Sequence, residues 1–162
     1  MSARHPSYRV VLLVALVTLP ALASCAHLVI LHDPLTAREH GDLGVAYESA
    51  AQLNLAAKEY RHSLRLDPHQ SRTRVNLGNV QAAKGEWRSA ETSYRRALCD
   101  SVTNTDAMNN LAVALLRQGR RRDEARALAE RAVAMAGERG SIYRATLAEV
   151  NASAHENGTT SK

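Results

Sequence analysis

Two hydrophobic patterns divide the chain. From Val10 to Leu19 apolar residues dominate with almost no break, whereas from Thr36 onward they recur at three- and four-residue spacings with polar residues between them. The second pattern belongs to amphipathic helices, each burying one stripe and solvating the other. It predicts helices at about residues 37–50, 54–66, 71–83, 87–99, 105–117 and 122–136, and a seventh at about 141–153 around Leu147-Ala148-Glu149-Val150. Thr36 and Glu39 have the spacing of a capping box at the first helix start. Pro68 follows Asp67 where the first pair of helices must stop, and Gly85 and Gly119 fall in turns that want a left-handed residue. Residues 154–162 are polar and are expected to be a disordered tail.

The helices repeat. Leu43, Gly44 and Tyr47 recur as Leu77, Gly78 and Gln81 and again as Leu111, Ala112 and Leu115, each step being 34 residues. The second helix of each unit repeats as Ala56, Tyr60 and Ser63, as Ala90, Tyr94 and Ala97, and as Ala125, Ala129 and Ala132, the last unit with one extra residue in its turn. Small residues at Gly44, Gly78 and Ala112 and at Ala56, Ala90 and Ala125 let paired helices approach, because a longer side chain would overpack the crossing. Leu43, Leu77 and Leu111, with Tyr47, Tyr60, Tyr94 and Leu115, are expected to fill the core.

Three copies at this period resemble the tetratricopeptide repeat (TPR) family over about residues 36–150. Departures are His40 and Arg74 where Trp is common, Ala51 in place of the first turn Gly, and Val102 and Gly137 in place of the terminal Pro. The resemblance implies an all-α, right-handed α-solenoid over residues 36–153, with repeats at about 37–70, 71–104 and 105–138 and the helix at 141–153 as a cap. It also implies a concave wall built by the first helix of each repeat, here called helix A, that binds peptides or protein segments. Carried over by register, that wall holds Arg38, Gly41, Val45 and Glu48, then Arg72, Val75, Asn76, Asn79 and Ala82, then Asn109, Asn110, Val113 and Arg117. An asparagine donates and accepts at once, so Asn76, Asn79, Asn109 and Asn110 can hold an extended backbone, and Arg38, Arg72 and Arg117 can pair with a carboxylate. The plainer alternative is that these asparagines pack and these arginines are solvated.

The opening residues carry a different message. Arg4 and Arg9, the apolar run, Pro20 and the small residues after it have the order of an export signal over residues 1–24. The run is too short for a transmembrane helix, which needs about 20 apolar residues. Leu22-Ala23-Ser24-Cys25 resembles the lipobox of bacterial lipoproteins. That resemblance implies a diacylglyceryl thioether on Cys25, an acyl chain such as palmitate on its amino group, and, with Ala26 next, outer-membrane placement facing the periplasm. Residues 25–35 would then be the lipidated N-terminus and tether, whose Leu28 to Leu31 is expected to cover the first helix.

Composition sharpens this. The 162 residues include no Phe and four Pro, so Leu, Val and Ala with a few Tyr and one Trp must fill the core, which favours closely packed helices. The formal charge of +5 falls to +3 once Arg4 and Arg9 are removed, and the arginines are interleaved with acids, unlike the single basic face of a nucleic-acid binder. The densest cluster, Arg117 with Arg120 to Arg122, is read as a solvated loop, Trp87 as a packing anchor and Cys99 as a small core residue. The seven histidines contain no HExxH and no i, i+4 pair on a mature helix, so solvated histidines, no metal, no cofactor and no catalytic residue are expected. Asn151 and Asn157 head glycosylation triplets that a bacterial host leaves idle.

The reading that results is a non-enzymatic, membrane-tethered scaffold or pilotin-like assembly factor for an envelope complex, with a protein or peptide partner and neither nucleic acid nor a small-molecule substrate. Two others stand beside it. The stretch from His32 through Arg38-Glu39-His40 to Gly44-Val45-Ala46-Tyr47 is similar to TPR segments beside papain-like cysteine peptidases, which suggests an accessory subunit; the other is a structural envelope spacer.

Overall fold

The computed structural model describes residues 33–137 and 140–156. The expected signal at 1–24, Cys25, the apolar tether segment and the end of the tail lie outside the described residues. The chain divides into two units, Met1–Pro34 and Leu35–Lys162, and every described helix belongs to the second.

Seven helices are present among the described residues: α1 (Ala37–Ser49), α2 (Leu53–Leu66), α3 (Ser71–Ala83), α4 (Trp87–Asp100), α5 (Thr105–Arg117), α6 (Arg122–Met135) and α7 (Gly140–Glu156). No strand occurs there. None of these helices is long and apolar enough to cross a membrane. The first begins with its capping box: the Glu39 amide donates to Thr36 Oγ1 at 3.3 Å, and the Thr36 amide donates to Glu39 Oε2 at 2.7 Å. That hydrogen bond to the Thr36 backbone holds the Glu39 carboxyl below its ordinary range.

Helices α1 and α2, α3 and α4, and α5 and α6 pack as hairpins, and α2–α3, α4–α5 and α6–α7 join one hairpin to the next. The A helices α1, α3 and α5 also touch in series, with α7 continuing their row beside α5. Each hairpin turn is closed the same way. Ala51, Gly85 and Gly119 take φ of 56°, 75° and 62°, and the residue after each donates its amide to a helix carbonyl, Gln52 to Tyr47, Glu86 to Gln81 and Arg120 to Leu115. These are left-handed helix ends that return otherwise orphaned carbonyls to hydrogen bonding. Ala51 carries a Cβ where its two counterparts carry none. We expect Ala51→Gly to stabilise the protein by about 0.5–1 kcal/mol, the relief of left-handed strain outweighing the entropy of the glycine; the urea midpoint reads it. The extra residue of the third turn is absorbed by Arg121, itself left-handed at φ 50°.

The helix crossings are tighter than small residues alone require. A Cβ on Gly44 would run into the Tyr60 ring, and one on Gly78 into the Tyr94 ring, so each glycine is the floor on which an aromatic lies. Tyr60 and Tyr94 are essentially sealed from solvent. In the third repeat the register places Ala129 where those rings stand and Ala112 where the glycines stand, and both are buried. A methyl appears on helix A where the ring has gone.

Leu43 departs from its expected core role. It is 36% exposed, against 8% for Leu77 and 1% for Leu111. The later two are covered by the hairpin before them in the stack, and Leu43 belongs to the first hairpin. Cys99 is likewise exposed rather than packed in the core, because it sits on the solvent side of α4 at the position Arg65 occupies on α2. At the other end, Tyr143 and Val150 of α7 are buried against the last hairpin, and the Tyr143 hydroxyl donates to Asp106 Oδ1 at 2.5 Å.

Candidate functional site

The A helices present a trough along the stack. Its first part, about 470 Å³, is lined by Arg38, Gly41, Asp42 and Val45 of α1 and by Gln70, Ser71, Arg72, Thr73 and Asn76 at the start of α3. The second, about 610 Å³, lies between Arg72, Val75, Asn76 and Asn79 of α3 and Ser101, Thr103 and Asn104 before α5 with Thr105, Asp106 and Asn110 of α5. Arg72 and Asn76 border both parts, which makes them neighbours on one wall.

The glycine crossings feed this wall. Because each tyrosine ring lies flat over its glycine, its hydroxyl reaches past helix A to the polar residues of the trough. Tyr60 donates to Glu48 Oε2 at 2.7 Å, with Asn76 also hydrogen-bonding its hydroxyl, and Tyr94 donates to Asn79 Oδ1 at 2.9 Å. Burial, with the Glu48 carboxylate adding to it, pushes both phenols above their ordinary pKa, so they stay protonated donors across the physiological range. The Asn110 amide then donates to the same Asn79 oxygen at 2.9 Å, and Asn109 donates to Asn110 Oδ1 at 3.1 Å. The chain Asn109–Asn110–Asn79–Tyr94 thus fixes the rotamers of Asn79 and Asn110 and uses up the Asn79 oxygen, leaving the Asn79 NH₂ as donor.

Of the residues expected on the wall, Arg38, Gly41, Val45, Arg72, Val75, Asn76, Asn79 and Asn110 line the trough, while Glu48, Ala82, Asn109, Val113 and Arg117 line neither part of it. Asn109 is buried at 8% exposure, its Oδ1 without a hydrogen-bond partner among the described residues, so it supports Asn110 from behind. Val75 is buried against the next repeat even though its edge borders the trough. Val113 is half-buried, and Arg117 turns to α7, 3.3 Å from Glu149.

Sequence reasoning missed two polar clusters. His40, expected to be solvated, is 2% exposed; its Nδ1 lies 2.7 Å from Glu59 Oε2 and its ring stacks on His62 at 3.9 Å between centroids. Between the second and third repeats, Arg95 forks onto Glu124 at 2.6 and 2.9 Å and reaches Glu91 at 3.0 Å, while Arg121 and Gln118 hold Glu91 at 2.8 and 3.0 Å. Burial alone would raise Glu91, but the hydrogen bonds from Gln118 and Arg95 and the charges of Arg95 and Arg121 hold its carboxyl below the ordinary range, and the Arg95 fork does the same for Glu124. The unfolded chain therefore takes up protons at higher pH than the folded one. Stability from this network is full above the ordinary carboxylate value of 4.5 and is lost as pH falls through the lower folded values. Glu91→Gln is expected to flatten that acid limb of a melting-temperature against pH curve; an unchanged limb would mean that the network does not titrate with folding.

Residues 73–105 match the tetratricopeptide repeat family. The chain is 36% identical over 111 residues to the cellulose synthase operon protein C of Xanthomonas axonopodis pv. citri (strain 306), a stretch that is 68% of this chain and 7% of that much longer protein. Among solved structures it is similar to the first TPR of Spaghetti (RPAP3) bound to HSP90 peptide SRMEEVD, with a TM-score of 0.70 and 17% identity over 78% of this chain and 98% of that one. It is also similar to the type III secretion translocator chaperone SycD of Yersinia enterocolitica, at 0.67 and 18% over 73% and 85% of the two chains. The Sgt2 TPR domain from Aspergillus fumigatus gives 0.71 and 16% over 76% and 82%. The fold is that of the tetratricopeptide-repeat solenoids, and the matched repeat supports that family for this chain.

Proposed function

We propose that this protein is an interaction scaffold that holds an extended peptide or protein segment in the A-helix trough, and that Cys25 tethers it through lipid to the bacterial envelope, at the outer membrane facing the periplasm. The observation that carries the reading is the fixed amide row on the trough wall. Asn79 and Asn110 are held in single rotamers by Tyr94 and Asn109, so binding does not have to freeze them, and Arg72 stands beside them with its guanidinium exposed. An extended backbone offers a carbonyl to such donors at regular intervals, and an acidic side chain or C-terminus suits Arg72. The structural neighbour solved with a bound peptide and the secretion translocator chaperone lend this analogy.

A library of extended peptides selected against the full chain tests the trough. Arg72→Glu is expected to abolish binding of the selected peptides, whereas Lys58→Glu, on the outer face of α2, leaves it intact. Equal binding by both variants would overturn the reading. The tether has its own test: metabolic labelling with an alkyne-bearing palmitate should mark the wild-type chain and not Cys25→Ser, which should also leave the membrane fraction.

A further inference from the structure

A second cavity, of about 580 Å³, opens on the side of α3 away from the trough, between α2 and α4. Four arginines line it, Arg61, Arg65, Arg74 and Arg96, and no acidic residue does; Leu64 and Leu77 give it an apolar floor. Arg74 is neutralised from outside by Asp100, at 2.5 Å. Arg61, Arg65 and Arg96 make no hydrogen bond or ion pair among the described residues.

The repeat itself shows what is missing. Arg95 is the counterpart of Arg61 one repeat later, and there the slot between neighbouring hairpins is closed by Glu124 and Glu91. Carried back by register, Glu124 becomes Ser89 and Glu91 becomes Ala57. The same position thus keeps its guanidinium and loses both carboxylates. No carboxylate replaces them: the one side-chain carbonyl on the lining, Gln81 Oε1, is taken by the Ser93 hydroxyl at 2.6 Å, which leaves the Gln81 amide as a donor, and the Thr92 hydroxyl spends its hydrogen on the Arg88 carbonyl. Arg61 and Arg65 are one helical turn apart on α2, so their guanidiniums can converge on one group.

We propose that this cavity is an anion site that takes a phosphate group, either on a soluble compound or on a phospholipid headgroup. Forked guanidiniums suit a tetrahedral oxyanion, and the external phosphate would supply the acceptors that Glu91 and Glu124 supply one repeat on. The site is independent of the trough and does not rest on peptide binding there.

Pyrophosphate titrated into the full chain in neutral detergent micelles, followed by the arginine Nε–Hε resonances, tests it. The expected result is saturable shifts of Arg61, Arg65 and Arg96 with Arg38 and Arg72 unmoved, and a loss of affinity of about tenfold or more in Ser89→Glu, which restores the internal carboxylate. Arg61→Gln combined with Arg65→Gln, both at the surface, should lose binding equally at unchanged helix content. Doping the micelles with phosphatidylglycerol rather than phosphatidylcholine separates the sources: the same shifts point to a headgroup, and shifts with pyrophosphate alone point to a soluble phosphate. Shifts reproduced by chloride at equal ionic strength, undiminished binding in Ser89→Glu, or binding of polyglutamate without pyrophosphate would each overturn the proposal.

Discussion

Replacing Gly78 with leucine is expected to lower the unfolding free energy by about 3 kcal/mol, the upper end of what overpacking a sealed site produces. The Tyr94 ring already lies where the first added carbon must go, and at 2% exposure the ring has nowhere to retreat. The milder Gly78→Ala tests the cause more finely. Combined with Tyr94→Ala it reproduces the pairing that Ala112 and Ala129 have in the third repeat. The double variant should therefore be more stable than the sum of the single effects predicts, by about 1 kcal/mol. Strict additivity in a denaturant-based cycle would mean that ring and glycine are not coupled. Loss of the ring also removes the hydroxyl from Asn79 Oδ1, so any Tyr94 variant should loosen the trough as well as the core.

The second large effect lies at the other end of the stack. Tyr143→Ala should cost about 3–5 kcal/mol, as truncation of a buried aromatic does. Its ring is 3% exposed against the last hairpin and its hydroxyl reaches Asp106 at the start of α5. A stack of hairpins transmits stability through neighbours only, so an uncovered last face frays first. Hydrogen exchange should accordingly rise in α5–α7 of the variant while α1–α2 stay near wild type; uniform loss of protection would instead indicate a single cooperative block.

Much of this architecture was legible before any coordinates. Helices α3 and α5 begin and end where the apolar spacing places them, because that spacing is set by the helical repeat itself, and Thr36 with Glu39 marks a start through local chemistry. The 34-residue step foretells equivalent turns at Ala51, Gly85 and Gly119, whose hydrogen bonds are equivalent in turn. Less legible was which surface faces which. Gly44 and Gly78 signalled a close approach, but the Ala positions on the second helix were the obvious opposing surface, and only geometry shows the tyrosine ring in between. Leu43 has the pattern of Leu77 and Leu111 and differs from them in having no hairpin before it among the described residues, a property of place rather than of residue type. The same is true of Asn109 beside Asn110, where one residue of helical rotation separates a support from a wall. Long-range charge pairs such as Arg95–Glu124 were hidden for another reason: arginine and glutamate are abundant here, and residues 29 apart give no local signal of pairing.

The trough is the surface that partners are expected to meet, and a photocrosslinking side chain placed at Asn79 tests this most directly in cells. Discrete adducts should form from Asn79, vanish when Arg72→Glu is added, and be absent when the same crosslinker stands at Lys58 on the outer face of α2. Identical adducts from both positions, or none from Asn79 while Lys58 yields them, would contradict it.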